Sequence, residues 1–200
     1  YSIAWSDGLG FAASTEDISG LLPGGYQVVV TDANGCTANA LAVLTAPAPL
    51  LAIAQAAVIN NSNVSCQGAM DGSIDLTATG GTGPYSFAWS NGASTEDLMN
   101  LGAGSYSVTL TDAHGCAAFT SITLNEPQGI VAVAAVSQQP SCNGAANGAI
   151  AANVAGGEAP LSFLWSGPNG YNTNDASPTG LLAGAYSMLV TDAHGCTASA

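Results

Sequence analysis

The chain has 200 residues, of which 13 are acidic, two are histidine and none is lysine or arginine, so its formal net charge at pH 7 is −13. Because neutralising phosphates requires Lys or Arg, this composition argues against nucleic-acid binding, docking to anionic lipid and phosphoryl transfer. Charged residues make up only 6% of the chain, which predicts a mostly neutral surface with thinly spread negative charge.

Residues 47–126 alternate short apolar runs with turn signals and show no helical period. We predict about seven short strands. Those that can be placed are, in chain order, Leu51–Val58, Ser73–Thr79, Tyr85–Ser90, a short edge strand at Thr95–Leu98, Tyr106–Thr111 and Ala117–Leu124. Turn signals every 8–12 residues between such strands indicate an all-β sandwich.

One segment of the chain occurs three times at a fixed spacing. Tyr26–Cys36 reads YQVVVTDANGC, Tyr106–Cys116 reads YSVTLTDAHGC and Tyr186–Cys196 reads YSMLVTDAHGC, 80 residues apart both times. A fixed period of this length indicates one folding unit copied in tandem.

The period divides the chain into three repeats. The first repeat, residues 1–46, is the C-terminal part of a unit; the middle repeat, residues 47–126, is complete; the third repeat, residues 127–200, is expected to lack its last strand. We therefore predict tandem immunoglobulin-like or fibronectin-III-like β-sandwich domains of about 80 residues joined by short Pro-containing links.

Nothing in the sequence predicts insertion into a membrane. A spanning helix needs roughly 18 or more apolar residues, whereas the most apolar run, Ala46–Ile59, contains two prolines and Gln55. No signal peptide is visible. Because Tyr1 falls inside a repeat, we expect the chain to begin within a domain and any export signal to lie elsewhere.

Six aromatic residues recur at matching places and are predicted to be structural: Trp5, Trp89, Trp165, Tyr26, Tyr106 and Tyr186. Each tryptophan lies mid-strand before a Gly-containing turn, which suits a core residue. Each tyrosine begins a late strand after a Gly-containing corner, where its hydroxyl can bond the corner backbone. The alternative is carbohydrate stacking by an exposed tryptophan.

The five cysteines are interpreted as parts of disulfides. Cys66 and Cys116 bracket the middle repeat, and Cys142 and Cys196 bracket the third, so we predict the intradomain pairs Cys66–Cys116 and Cys142–Cys196. Cys36 is expected to pair upstream of Tyr1. Loops of roughly 50 residues would each contribute about 4 kcal/mol in the chain-entropy model, and such pairs indicate an oxidising compartment.

Three alternatives for the cysteines stay open at this point: links between neighbouring repeats, free thiols and metal binding. Metal binding lacks support because the cysteines show no CxxC spacing and the two histidines complete no ligand set.

An aspartate recurs at the same place in each copy of the repeated segment: Asp32, Asp112 and Asp192. We interpret these aspartates as turn residues whose carboxylates accept backbone N–H groups. The alternative is a calcium site at a domain end, with further oxygens from Asp71, Asp75 and Glu126. Calcium takes six to eight oxygen ligands, and no EF-hand or RTX-type loop is present, so such a site would need several loops.

The two histidines are predicted to have no catalytic role. His114 and His194 occupy the turn position that Asn34 holds in the first repeat, and both residue types tolerate a left-handed turn. A catalytic histidine would need a partner group and would not be replaced by asparagine. We therefore predict no enzymatic activity and no cofactor apart from the calcium alternative.

The middle repeat carries a combination of motifs that resembles the SprB repeat family. They are Cys66-Gln-Gly, Asp71-Gly-Ser-Ile, Gly80-Gly-Thr-Gly-Pro-Tyr85, Phe87-Ala-Trp-Ser-Asn-Gly92, Ser94-Thr-Glu-Asp97, Leu101-Gly-Ala-Gly-Ser-Tyr106 and Val108-Thr-Leu-Thr-Asp-Ala-His-Gly-Cys116. The third repeat departs from this pattern, because Gly156-Gly-Glu-Ala-Pro160 lacks the following tyrosine and Ser166-Gly-Pro-Asn-Gly170 carries an altered turn.

The resemblance implies a very large, repetitive cell-surface protein of Bacteroidota-type bacteria, exported by the type IX system. Such proteins act as adhesins, including gliding-motility filaments, and have no catalytic residues to carry over. We expect a structural or adhesive segment of an extracellular fibre whose partners are other copies of itself or neighbouring repeats. The alternatives are a module that binds glycans or surfaces, which predicts an exposed aromatic platform, and accessory repeats of a secreted enzyme.

Overall fold

A computed structural model describes residues 1–200, and it confirms the predicted all-β fold. The chain forms seventeen strands and no α-helix; its one helical turn is a 3-10 segment at Pro168–Gly170. The helical content includes no segment with the length and apolar character of a membrane span. The chain separates into two compact units, residues 1–49 with 80–82 and residues 50–79 with 83–200.

The first unit contains a single antiparallel sheet. Its strands are β1 (Ser2–Ser6), β2 (Ala12–Ala13), β3 (Gly24–Thr31) and β4 (Thr37–Leu44), in the order β2-β1-β3-β4. Tyr26 is the one buried large side chain of the first repeat, and β4 is exposed along its whole length.

The middle repeat is a sandwich of two three-stranded antiparallel sheets. Its strands are β5 (Leu51–Ala56), β6 (Gly72–Thr79), β7 (Ser86–Trp89), β8 (Leu98–Leu101), β9 (Gly104–Thr111) and β10 (Ala117–Leu124). One sheet has the order β5-β6-β8 and the other β10-β9-β7. Alternate residues of these strands point inward because successive side chains of a strand face opposite sides. The buried core consists of Ile74, Leu76, Trp89, Leu98, Leu101, Val108 and Leu124.

Two details of the middle repeat differ from the prediction. It has six strands, and the short strand predicted at Thr95–Leu98 lies at Leu98–Leu101. The segment before it is a loop, in which the Thr95 hydroxyl donates to the Asp97 carbonyl at 2.7 Å. The Asp97 carboxylate accepts the backbone N–H of Leu76 at 3.0 Å. These bonds fold the loop against the edge of β6, so pairing begins only at Leu98.

The third repeat has the same two-sheet plan. Its strands are β11 (Val131–Gln138), β12 (Gly148–Ala155), β13 (Ser162–Ser166), β14 (Asn172–Thr173), β15 (Thr179–Leu181), β16 (Ser187–Thr191) and β17 (Thr197–Ser199). The sheets have the orders β11-β12-β15 and β14-β13-β16-β17, around a core of Trp165, Met188 and Val190. The last strand, predicted to be missing, is present as the three residues of β17, which pair with β16.

The recurring tyrosines all make the same bond. The hydroxyls of Tyr26, Tyr106 and Tyr186 donate to the backbone carbonyl four residues earlier, at 2.8, 3.0 and 3.0 Å. This is the bond expected of a tyrosine at the corner before a late sandwich strand. It fixes the chain where it enters β3, β9 and β16.

The tryptophans occupy equivalent places but differ in their hydrogen bonds. The indole N–H of Trp5 donates to Thr15 and that of Trp89 to Thr95, at 3.1 and 2.9 Å. Trp165 is fully buried, yet its indole nitrogen has no hydrogen-bond partner. A buried donor without a partner costs about 1–3 kcal/mol.

We expect Trp165→Phe to destabilise the protein less than Trp89→Phe. Both changes remove similar core volume, but the first also removes an unpaired donor while the second loses a bond worth about 1 kcal/mol. Urea unfolding of the two variants should give free energies that differ by about 1–3 kcal/mol in favour of Trp165→Phe. Equal losses in the two variants would contradict this account of the indole nitrogen.

Candidate functional site

The repeated segment ends in a braced turn, which we call the Asp turn, at residues 32–36, 112–116 and 192–196. In the middle repeat the Asp112 carboxylate accepts the backbone N–H groups of His114 and Cys116 at 2.9 and 2.8 Å. Asp32 and Asp192 make the same two bonds in their own turns. The histidines thus contribute a backbone N–H at this position, as Asn34 does in the first repeat.

The structure gathers no three His, Cys, Asp or Glu side chains into a group that could hold a metal ion. At Asp32, Asp112 and Asp192, one carboxylate oxygen already accepts two backbone N–H groups. These contacts do not test the calcium site considered at these aspartates, which stays a prediction.

A second recurring element is the cysteine loop, residues 65–71 in the middle repeat and 141–147 in the third. In the middle repeat, this loop follows the fully buried Val64. Asp71 closes the loop by accepting the backbone N–H of Ser65 at 3.0 Å, and the N–H of Ala69 donates to the Cys66 carbonyl at 3.0 Å. The Glu126 carboxylate accepts the N–H of Gly68 at 2.8 Å. The loop is thereby tied to the segment that follows β10.

The disulfide of the structure joins this loop to the Asp turn of the next repeat. Cys66 is bonded to Cys196, with Cα atoms 5.6 Å apart. Cys36, Cys116 and Cys142 are free and exposed. The predicted pairs Cys66–Cys116 and Cys142–Cys196 do not form, so the intradomain prediction was wrong. The alternative of a link between neighbouring repeats describes the bond correctly.

The physical reason is that the two cysteines of one sandwich lie at opposite ends. β10 begins directly after Cys116 and runs to Leu124, next to the segment that binds the cysteine loop. Eight residues at about 3.4 Å each separate the two ends by about 25 Å. A disulfide requires Cα atoms less than about 7 Å apart. The cysteine loop is instead at the end of the middle repeat that continues into the third.

The arrangement depends on the directions of β7 and β8, which the sequence does not show. Four strands separate Cys66 from Cys116, and if each reversed direction the two cysteines would share an end. However, β7 is antiparallel to β9 and β8 is antiparallel to β6. Both β6 and β9 begin beside the end of β10, so the two four-residue strands β7 and β8 run in the same direction. Because β7 and β8 are each half as long as β6 and β9, together they cross the sandwich once. The chain therefore crosses the sandwich three times between Cys66 and Cys116, and the two cysteines lie at opposite ends.

Close contacts surround the disulfide. The Cys196 sulfur lies 3.4 Å from the Ser65 carbonyl oxygen. The Gln67 side chain packs against Gly129 where the chain enters the third repeat, and it would have to move to admit a Cβ atom there. Beside this contact is a polar cleft of about 270 Å³, and its lining includes Asn60, Glu158 and His194.

Carboxylates on both sides of the disulfide have lowered pKa values. The side chain and backbone N–H of Ser65 lower the pKa of Asp71. At Asp192 burial acts to raise the pKa, but the backbone N–H groups of Glu158, Cys196 and His194, with the charge of His194, outweigh it and the pKa is lowered. Both groups are therefore held in the charged form.

The middle and third repeats are two-sheet sandwiches with corner tyrosines, and a disulfide joins them. These features define a tandem β-sandwich protein. The model of the SprB repeat family matches residues 58–94 and 134–170. The chain thus carries SprB repeats at these two places, and the resemblance is confirmed there. Each match includes a cysteine loop and a core tryptophan. No curated protein matches the chain significantly.

Three solved structures are similar to the chain at low identity. The N-terminal eight immunoglobulin domains of Down syndrome cell adhesion molecule give 16% identity and a TM-score of 0.42, over 99% of this chain and 31% of that one. A tetra-tandem repeat in the extending region of a large adhesion protein gives 16% and 0.29, over 100% and 64%. Immunoglobulin domains 1–5 of Sidekick-1 give 14% and 0.31, over 100% and 50%. The chain spans less than two thirds of each.

We expect digestion without reductant to identify the disulfide directly. Cleavage after glutamate, except before Pro127, gives the fragments 1–16, 17–96, 97–158 and 159–200. Fragments 17–96 and 159–200 should remain linked to each other, and fragment 97–158 should be released. The Cys36→Ser variant should give the same result, because Cys66 carries the bond. A link from 97–158 to either fragment would contradict it.

We expect the protein to lose stability as the pH falls below about 4. The ordinary aspartate pKa is 3.8, and the folded values of Asp71 and Asp192 are lower. Their contribution to stability is therefore full above pH 3.8. It is lost as the pH falls through the folded pKa values, because in that range the unfolded chain binds more protons than the folded chain. Urea unfolding at pH 7 and pH 2.5 measures the loss.

The control for this prediction is Asp71→Asn. In the third repeat Asn147 occupies the equivalent place and accepts the Ser141 N–H at 3.0 Å, so an asparagine maintains the loop. The variant should fold at pH 7 and lose less stability on acidification than the parent protein. An unchanged pH dependence would show that Asp71 does not contribute to it.

Proposed function

We propose that the chain is a non-catalytic structural and adhesive segment of a large extracellular fibre on a bacterial surface. The observation that carries this proposal is the disulfide between Cys66 and Cys196. A bond across the joint holds two successive sandwiches in series, which a fibre requires and an independent binding domain does not. The SprB repeats at residues 58–94 and 134–170 support the same function.

An extracellular location is supported by the disulfide and by the composition. Disulfides persist in oxidising compartments outside the cytosol. Without Lys or Arg the chain offers no cleavage site to trypsin-like proteases, an advantage for an exposed fibre. We propose other copies of the repeat as partners. From the SprB resemblance we also propose export by the type IX system and a role in gliding motility.

The placement of the aromatic side chains favours the fibre over a glycan-binding module. A glycan platform needs exposed aromatic faces, but Trp89 and Trp165 are buried and Trp5 is half-buried. The exposed aromatic residues are Tyr1 and Phe119, one in the first repeat and one in the middle repeat. Neither has an exposed aromatic neighbour within its own repeat.

The absence of a catalytic role is supported by the use of the titratable groups. The carboxylates with lowered pKa values, Asp7, Asp71 and Asp192, accept hydrogen bonds from backbone N–H groups or side chains, which at Asp192 include the N–H of Glu158. Each shift is thus explained by a structural bond. Accessory repeats of an enzyme would need a catalytic domain elsewhere.

The proposal is tested by locating the chain on the cell that makes it. Antibodies raised against the folded chain, with gold-labelled secondary antibody, should mark filaments at the cell surface in electron micrographs. The label should repeat along each filament, because the epitope recurs with every repeat.

Cells in which the coding region is deleted provide the control and should lose both label and filaments. Label confined to the cytoplasm, or to soluble monomers in the medium that bind sugar, would overturn the fibre proposal. The second of these results would favour the glycan-binding module.

A further inference from the structure

The Cys66–Cys196 disulfide changes the covalent path along the chain. The two cysteines are 130 residues apart in sequence but directly bonded. A chain pulled at both ends transmits tension through its covalent bonds. Tension that arrives at Cys66 therefore passes through the two sulfurs to Cys196, and the intervening residues are off the path.

The residues removed from this path include both hydrophobic cores. The core of the middle repeat extends from Ile74 to Leu124, and that of the third repeat contains Trp165, Met188 and Val190. All of them lie between residues 66 and 196. Of the strands in the middle and third repeats, only β5 and β17 are outside the bridged segment.

Both attachment points of the bond are braced. On one side Asp71 and Glu126 hold the cysteine loop through the N–H groups of Ser65 and Gly68. On the other side the Asp192 carboxylate accepts the N–H groups of Glu158, His194 and Cys196 at 3.1, 2.9 and 2.9 Å. Each carboxylate thus ties its cysteine to a neighbouring backbone segment. Tension at the sulfurs meets two fixed turns rather than two free loops.

We propose that the Cys66–Cys196 disulfide is a mechanical bypass, which carries tension across the joint and keeps the middle and third sandwiches from being pulled open. Its value to the cell rests on the proposed function as a fibre under load. The bypass itself is a property of the 200-residue chain and is tested on that chain alone.

The experiment is single-molecule stretching of the full chain, attached through handles at its two ends. Without the bond, 200 residues extend to about 700 Å, because an extended residue spans about 3.3–3.6 Å. With the bond, the 130 bridged residues are excluded and the limiting length should be shorter by about 450 Å. The bonded chain should also lack the force peaks of the two sandwich cores.

Two variants separate the bypass from a general effect of thiols. Cys66→Ser should extend by the additional length of about 450 Å and should show the core unfolding peaks. Cys116→Ser removes a free, exposed thiol from the equivalent turn and should behave like the parent chain.

If Cys66→Ser does not fold, the limiting length of the parent chain still decides the question, because it depends on the covalent path and not on folding. A parent chain that extends to its full length, or shows the peaks of both cores, overturns the bypass. Surface filaments made of chains that extend fully would leave the fibre function standing without the bypass. A bypass measured in a protein that forms no filaments would leave the bypass standing and overturn the fibre function.

Discussion

The bond between Cys66 and Cys196 is the constraint on which the relation between the middle and third repeats depends. Closing a loop of 130 residues contributes about 5 kcal/mol in the chain-entropy model, a large share of the 5–15 kcal/mol typical of a whole domain. The features around the joint act on its two ends: Asp71 shapes the loop, the Asp192 carboxylate shapes the turn, and Gly129 leaves room for Gln67. The joint is a built interface and not a passive linker.

The free cysteines occupy the same two local structures as the bonded pair. Cys142 lies in a loop closed by Asn147 as the Cys66 loop is closed by Asp71. Cys116 lies in a turn braced by Asp112 in the same way as Cys196 by Asp192. In a longer array of such repeats, the same register would bond each cysteine loop to the following Asp turn. The bridged segments would then overlap, and every joint would be crossed by one disulfide.

Local features of this fold could be predicted from the sequence, whereas features that depend on the ends of the sandwich could not. The strand at Ser73–Thr79 and the turn bonds of Asp112 follow from alternation and from the glycine of the turn, which are short-range signals. The disulfide was missed because β7 and β8 share one crossing, a fact of three-dimensional direction. The unpaired indole of Trp165 was also missed, because the sequence does not show whether a backbone carbonyl lies within reach of an indole N–H: Trp5 has the same 21-residue spacing to its corner tyrosine and is bonded.

The register of the disulfide also imposes an order in time. Cys66 is synthesised 130 residues before its partner, and Cys116 and Cys142 both appear in the interval. If Cys66 bonded the first thiol that became available, it would pair with Cys116 of its own repeat. The correct partner is selected because the middle sandwich, once folded, holds Cys116 at the far end from Cys66. Each repeat therefore acts as a template that keeps its own two thiols apart until its neighbour arrives.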